Sequence, residues 1–81
     1  MATSMDGRST PVRSPEALGR VVRAVRLEAG MTQAELAERT RANRYAIHTL
    51  EAGNETRAVE LIFDALAALG LELAIRPRGQ A

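Results

Sequence analysis

Cysteine and lysine are absent from the 81 residues, and histidine occurs once. Without cysteine there is no disulfide, and one histidine alone cannot build the nitrogen and sulfur cage of a structural zinc site. The lack of thiols also fits a reducing cytosol. No apolar run approaches the roughly 18 residues of a membrane span. The opening MATSMDGRSTPVR has no apolar centre, so it does not read as a signal peptide. Residues 1–13 read instead as a flexible arm. Excess charge is scarce too: 11 basic and 10 acidic residues leave a net charge of +1. That balance argues neither for nor against nucleic acid, so the distribution of charge has to decide. All 11 basic residues are arginine, which genomic base composition explains as easily as guanidinium chemistry does.

What remains is enough for one small domain. A chain of this length buries only roughly 60–65% of the surface its unfolded form exposes. Small scaffolds are usually reinforced by disulfides, a metal or oligomerisation. With the first two closed, oligomerisation is expected.

Ser14-Pro15-Glu16 opens a helix with a serine cap, a proline where its missing N–H is harmless, and an acid beside the positive end of the dipole. Leu18, Val21, Val22, Val25 and Ala29 then recur at helical spacing, and Gly30 ends the run. Arg20 and Arg23 fall opposite that stripe and read as a solvated face. Thr32-Gln33-Ala34-Glu35 has the form of a capping box and starts a second helix that should stop near Arg39. Its apolar residues, Ala34, Leu36 and Ala37, suit a close crossing. After a turn at Thr40-Arg41-Ala42, Asn43 caps a third helix, 43–52, with Ala46, Ile47 and Leu50 inward and Gly53 at its end.

A fourth helix, 58–69, is apolar nearly all round. Val59, Ile62, Phe63, Leu66 and Leu69 form one stripe, and Leu61, Ala65 and Ala68 a second. Such a helix needs burial on two sides, and the second side should meet another chain. After Gly70 the period changes to two: Leu71, Leu73 and Ile75 alternate with Glu72, Ala74 and Arg76 before Pro77. This reads as a single strand, 70–76, with no strand of its own chain to pair with. Its open edge calls for the same strand of a second subunit. Leu61, Ala65, Ala68, Leu71, Leu73 and Ile75 are therefore the expected homodimer interface, with residues 77–81 a basic tail.

The second and third helices, joined by a short turn, make a helix-turn-helix whose second helix can lie in the DNA major groove. Stepping about 100° per residue from inward Ile47, Arg44, Tyr45 and His48 project outward, with Thr49 at the margin. Arginine bonds guanine bidentately, while tyrosine, histidine and threonine reach base edges, phosphates or a thymine methyl. His48 has no second histidine, cysteine or nucleophile beside it, so an enzyme is the least supported class, and no cofactor or small-molecule ligand is indicated.

RLEAGMTQAELAERTRANRYAIHTLEAG also resembles the lambda-repressor-like, or XRE, helix-turn-helix family, on Gly30, Thr32-Gln33, Glu35-Leu36-Ala37, Ile47, Leu50-Glu51 and Gly53. The resemblance implies an all-α domain of four or five helices over 14–69, with the strand added. It implies that Thr32 and Gln33 hold a phosphate, that Arg44, Tyr45 and His48 face bases, and that Arg26 pairs with Glu51. Asn43, Asn54 and Arg57 are expected as further phosphate contacts. One departure is visible: a turn position commonly glycine in the family is Arg41 here.

AVELIFDALAALGLELAIRPR, a last helix running into a short strand, is similar to HipB-type antitoxins. That similarity implies a dimer with an intersubunit sheet, binding of operator DNA, and a HipA-type kinase toxin as partner. The expected function is thus a cytoplasmic, homodimeric repressor of an inverted-repeat operator, serving as an antitoxin. The rivals are a stand-alone XRE regulator, and a protein-interaction module that keeps the helix-turn-helix as scaffold without reading DNA.

Overall fold

In the computed structural model, which describes residues 9–54 and 56–79, β1 (Thr10–Val12) leads into α1 (Pro15–Glu28), α2 (Gln33–Thr40), α3 (Arg44–Ala52), α4 (Arg57–Ala68) and β2 (Leu73–Ile75). No helix among the described residues is long and apolar enough to cross a membrane. The caps fall where side-chain chemistry asks for them. Ser14 accepts from the Ala17 N–H at 3.1 Å, and Asn43 accepts from that of Ala46 at 2.8 Å. Thr32 and Glu35 complete a reciprocal capping box at 3.0 and 2.8 Å. The fourth helix starts slightly earlier than expected, because Thr56 supplies its cap.

Arg41 ends α2 with φ 59° and ψ 32°. It is the one non-glycine with positive φ among the described residues. Its neighbour Ala42 donates to the Ala37 carbonyl at 2.9 Å, and Arg41 itself to that of Glu38 at 3.3 Å. These bonds close the left-handed turn that glycine usually makes, so arginine at this position bends the chain in the same sense.

α3 packs against both α1 and α2, and α1 carries β1 and α4 at its sides. The crossing of α1 over the end of α3 depends on Gly19. A Cβ there would sit 2.5 Å from the carbonyl oxygens of both Leu50 and Glu51, so only a residue without a side chain lets the two backbones come this close. The apolar core among the described residues is small: Val12, Ala37, Ile47 and Phe63. Ala34 and Ala46, expected inward, are both exposed. The inner side of α3 is instead Ile47 and Glu51, with Leu50 half-buried.

Two expectations are corrected. The strand after Gly70 is not solitary: β2 pairs antiparallel with β1, Thr10 opposite Ile75, Pro11 opposite Ala74 and Val12 opposite Leu73. Part of the arm expected to be flexible is therefore a strand, and its Val12 is fully buried at 0% exposure. Residues 1–8 of that arm lie outside the described residues. Pro11 has no N–H, so the Pro11–Ala74 pair cannot be the hydrogen-bonded kind, and the N–H and C=O of Ala74 point away from β1. Among the described residues β2 thus keeps one open edge, whereas proline blunts the outer edge of β1.

The second correction concerns α4. Ile62 and Leu69, expected inward, are 52% and 72% exposed and join Leu61, at 55%, on an outer stripe with Ala65 and Ala68. A helix leaning on one neighbour buries one face only, and here that face is Val59, Phe63 and Leu66. Leu71 and Leu73 are exposed as well, at 56% and 37%, whereas Ile75 is half-buried within its own chain.

Candidate nucleic-acid interface

The outer side of α3 presents Arg44, Tyr45 and His48, all exposed, with Tyr45 at 75%. Among the described residues their side chains make no hydrogen bond or ion pair. Thr49 is half-buried beside them, which agrees with its marginal position on the helical wheel. Three polar side chains left unpaired on one helix face are free to bond something outside the chain.

Beneath this face lies a buried fork. Arg26 Nε donates to Glu51 Oε2 at 2.5 Å and its Nη2 to Oε1 at 3.0 Å. The two side chains are only 7% and 3% exposed. A third guanidinium bond runs from Nη1 to the Met31 carbonyl at 2.7 Å. Gln33 Nε2 donates to the same Glu51 Oε1 at 3.1 Å. The pair implied by the resemblance is therefore present, and it ties α1 to α3 and both to the start of α2.

Residues expected at phosphates occupy varied settings. Thr32 uses its hydroxyl oxygen for the α2 cap, and Asn43 its side-chain oxygen for the α3 cap. Gln33 is half-buried and shared with the ion pair. Asn54 is exposed just beyond α3, its N–H donating to the Thr49 carbonyl at 3.1 Å. Arg57 opens α4 and lies along it, 3.4 Å from Glu60 and 3.7 Å from Asp64, so its charge is partly met within its own helix.

One residue stands in a setting its position in the sequence does not suggest. Arg23, expected as part of a solvated face, joins Gln33 and His48 around a shallow cavity of about 150 Å³ floored by Glu51. The arrangement brings a cation, an amide and an imidazole from three helices to one notch. Its sequence signal is weak: Arg23 sits one helical turn before Arg26 and so shares its side of α1.

The fork also sets a pH dependence. The hydrogen bond from Arg26 holds the Glu51 carboxyl below the usual carboxylate range; desolvation opposes this and the Gln33 bond assists it. The folded state then binds this proton less readily than the unfolded chain. Stability is present above the unfolded pKa and drains away as pH falls through the folded one. Glu35, lowered by its bonds to Thr32, acts in the same direction. The urea midpoint should drop as pH is taken from about 5 to about 3, and Glu51→Gln should flatten that slope. An identical slope in the variant would assign the acid sensitivity to other carboxylates.

Residues 17–77 match a family described as a helix-turn-helix domain. No curated protein and no solved structure matches the chain. The match spans α1 to β2 and contains the α2–turn–α3 unit whose second helix carries the open polar face; the chain belongs to the helix-turn-helix domain family.

Proposed function

We propose that the protein is a sequence-specific DNA-binding repressor that works in the cytoplasm as a homodimer on an inverted-repeat operator, and that it is the HipB-like antitoxin of a HipA-type kinase toxin. It is a binding protein and not an enzyme. The observation that carries the DNA reading is the set Arg44, Tyr45 and His48, exposed and unpaired among the described residues, on the second helix of a helix-turn-helix. Arg44→Ala should weaken binding to the specific site by about 1–3 kcal/mol and relax preference at one base pair per half-site. Binding to random DNA should change less. Fluorescence anisotropy on operator and scrambled duplexes measures both, and equal losses on the two would make Arg44 a phosphate contact instead.

The dimer rests on the free edge of β2 and on the leucines beside it. Leu61, Ile62, Leu69, Leu71 and Leu73 are exposed, and Leu71 and Leu73 border a cavity of about 530 Å³ between α4 and the sheet, which Arg13 and Glu72 also line. Twofold pairing of β2 with its mate would extend two strands to four, cover these side chains, and hold two recognition helices about 34–36 Å apart, one DNA turn. Ala74→Pro tests this selectively. It removes an N–H that points away from β1, so the domain should still fold while sedimentation equilibrium reports a monomer with much weakened operator binding. A variant that remains dimeric would place the interface elsewhere.

The antitoxin role is supported by the likeness of 58–78 to HipB-type chains. Affinity capture of the full chain from its native host should bring down a kinase-sized partner. Capture of operator DNA with no protein partner would favour the stand-alone regulator.

A further inference from the structure

A second cavity, of about 360 Å³, lies between α1 and the end of β2, away from the notch on the DNA-facing side. Val21, Val22, Val25, Met31, Leu36 and Ile75 form its walls. The valines belong to the apolar stripe of α1 and are only half-buried, so the stripe is incompletely covered at this point. Two arginines, Arg26 and Arg76, also line the cavity, and among the described residues no acidic one does. Their situations differ. Arg26 is neutralised by Glu51 and further bound to the Met31 carbonyl. Arg76 is exposed and makes no hydrogen bond or ion pair among the described residues.

We propose that this cavity is a binding site for a small apolar carboxylic acid, whose hydrocarbon body lies against the α1 valines and whose carboxylate is taken by Arg76. The volume is at the small end of ligand pockets. Walls so poor in polar atoms would leave the hydroxyls of a sugar or nucleoside unpaired, which disfavours polar ligands. An arginine without an ion-pair partner among the described residues, on the lining of an otherwise apolar cavity, suits an anionic head on an apolar tail, because arginine bonds carboxylates bidentately. Occupancy would reach the DNA side by contact alone. Met31 precedes the Thr32 cap of α2, and Arg26 continues through Glu51 to Gln33.

Octanoate is the probe, with 1-octanol as the uncharged control of equal length and acetate as the charge without a tail. Backbone amide NMR titration of the full chain should show saturable shifts at Val21, Val22, Val25 and Ile75 with octanoate and none with acetate. Octanol should bind the same residues about tenfold more weakly, the size of one charge-assisted hydrogen bond at a solvent-exposed site. Arg76→Gln, at an exposed position, should reduce octanoate affinity to the octanol value while leaving octanol unchanged. Three results would overturn the proposal: no saturable shift with octanoate, equal affinity of octanoate for wild type and Arg76→Gln, or shifts centred on Phe63, Leu66 and Leu71 around the cavity between α4 and the sheet.

Discussion

Glu51→Ala should remove a large fraction of the stability of the fold. Removing one member of a buried ion pair strands the other charge without its partner, a change that costs roughly 3–5 kcal/mol. A domain of 81 residues has a total stability of only roughly 4–12 kcal/mol. Here the stranded group is the Arg26 guanidinium, with a side-chain exposure of 7%. Gln33 loses the acceptor for its amide at the same time. Urea titration followed by far-UV circular dichroism gives the loss directly. The double substitution Arg26→Met with Glu51→Leu should recover part of it, because apolar replacements remove the desolvation penalty together with the attraction. A single variant with the wild-type midpoint would mean that the pair adds nothing to the fold.

Gly19→Ala should be the other severe change, and its sign separates two effects. Helix propensity alone favours alanine over glycine by about 1 kcal/mol inside a helix. Against this, the added methyl would meet two backbone carbonyl oxygens at 2.5 Å. Backbone cannot rotate aside as a side chain does, so α1 and α3 must separate and loosen both Ile47 and the Arg26–Glu51 fork. Overpacking of this kind costs about 1–3 kcal/mol or more, and carbonyl oxygens on both sides of the methyl put this case at the upper end. A lower thermal midpoint is the expected result. A rise by the amount that propensity gives would show that the two helices have room to part.

The helix caps were legible because capping is local. Ser14, Thr32 and Asn43 each bond a backbone N–H three residues on, and the sequence displays both partners of such a bond side by side. β1 was not legible. Three residues with a proline in the middle carry no strand pattern, and the partner that gives Thr10–Val12 its conformation lies more than 60 positions away, at Leu73–Ile75. The orientation of α4 was hidden for another reason. Polar residues tell a helix which way is out, and one that is apolar nearly all round gives no such instruction, so its spacing alone puts Ile62 and Leu69 on the wrong face. Ala34 and Ala46 are a milder case, since a methyl gains little by burial and loses little by exposure. At the site, the outward set on α3 followed from the helical step away from Ile47. Arg23 did not, because its place beside Gln33 and His48 depends on how three helices cross.

The division of labour within α3 has an evolutionary consequence. Ile47 and Glu51 hold the helix in the domain, while Arg44, Tyr45 and His48 have no bonds inside the described residues and are all exposed. Substitutions at exposed positions without such ties usually stay within about 0.5 kcal/mol of the starting stability. Mutation can therefore sample many combinations at these three positions without passing through unfolded intermediates, and a duplicated copy of the gene could drift toward a new binding specificity while the old scaffold persists unchanged.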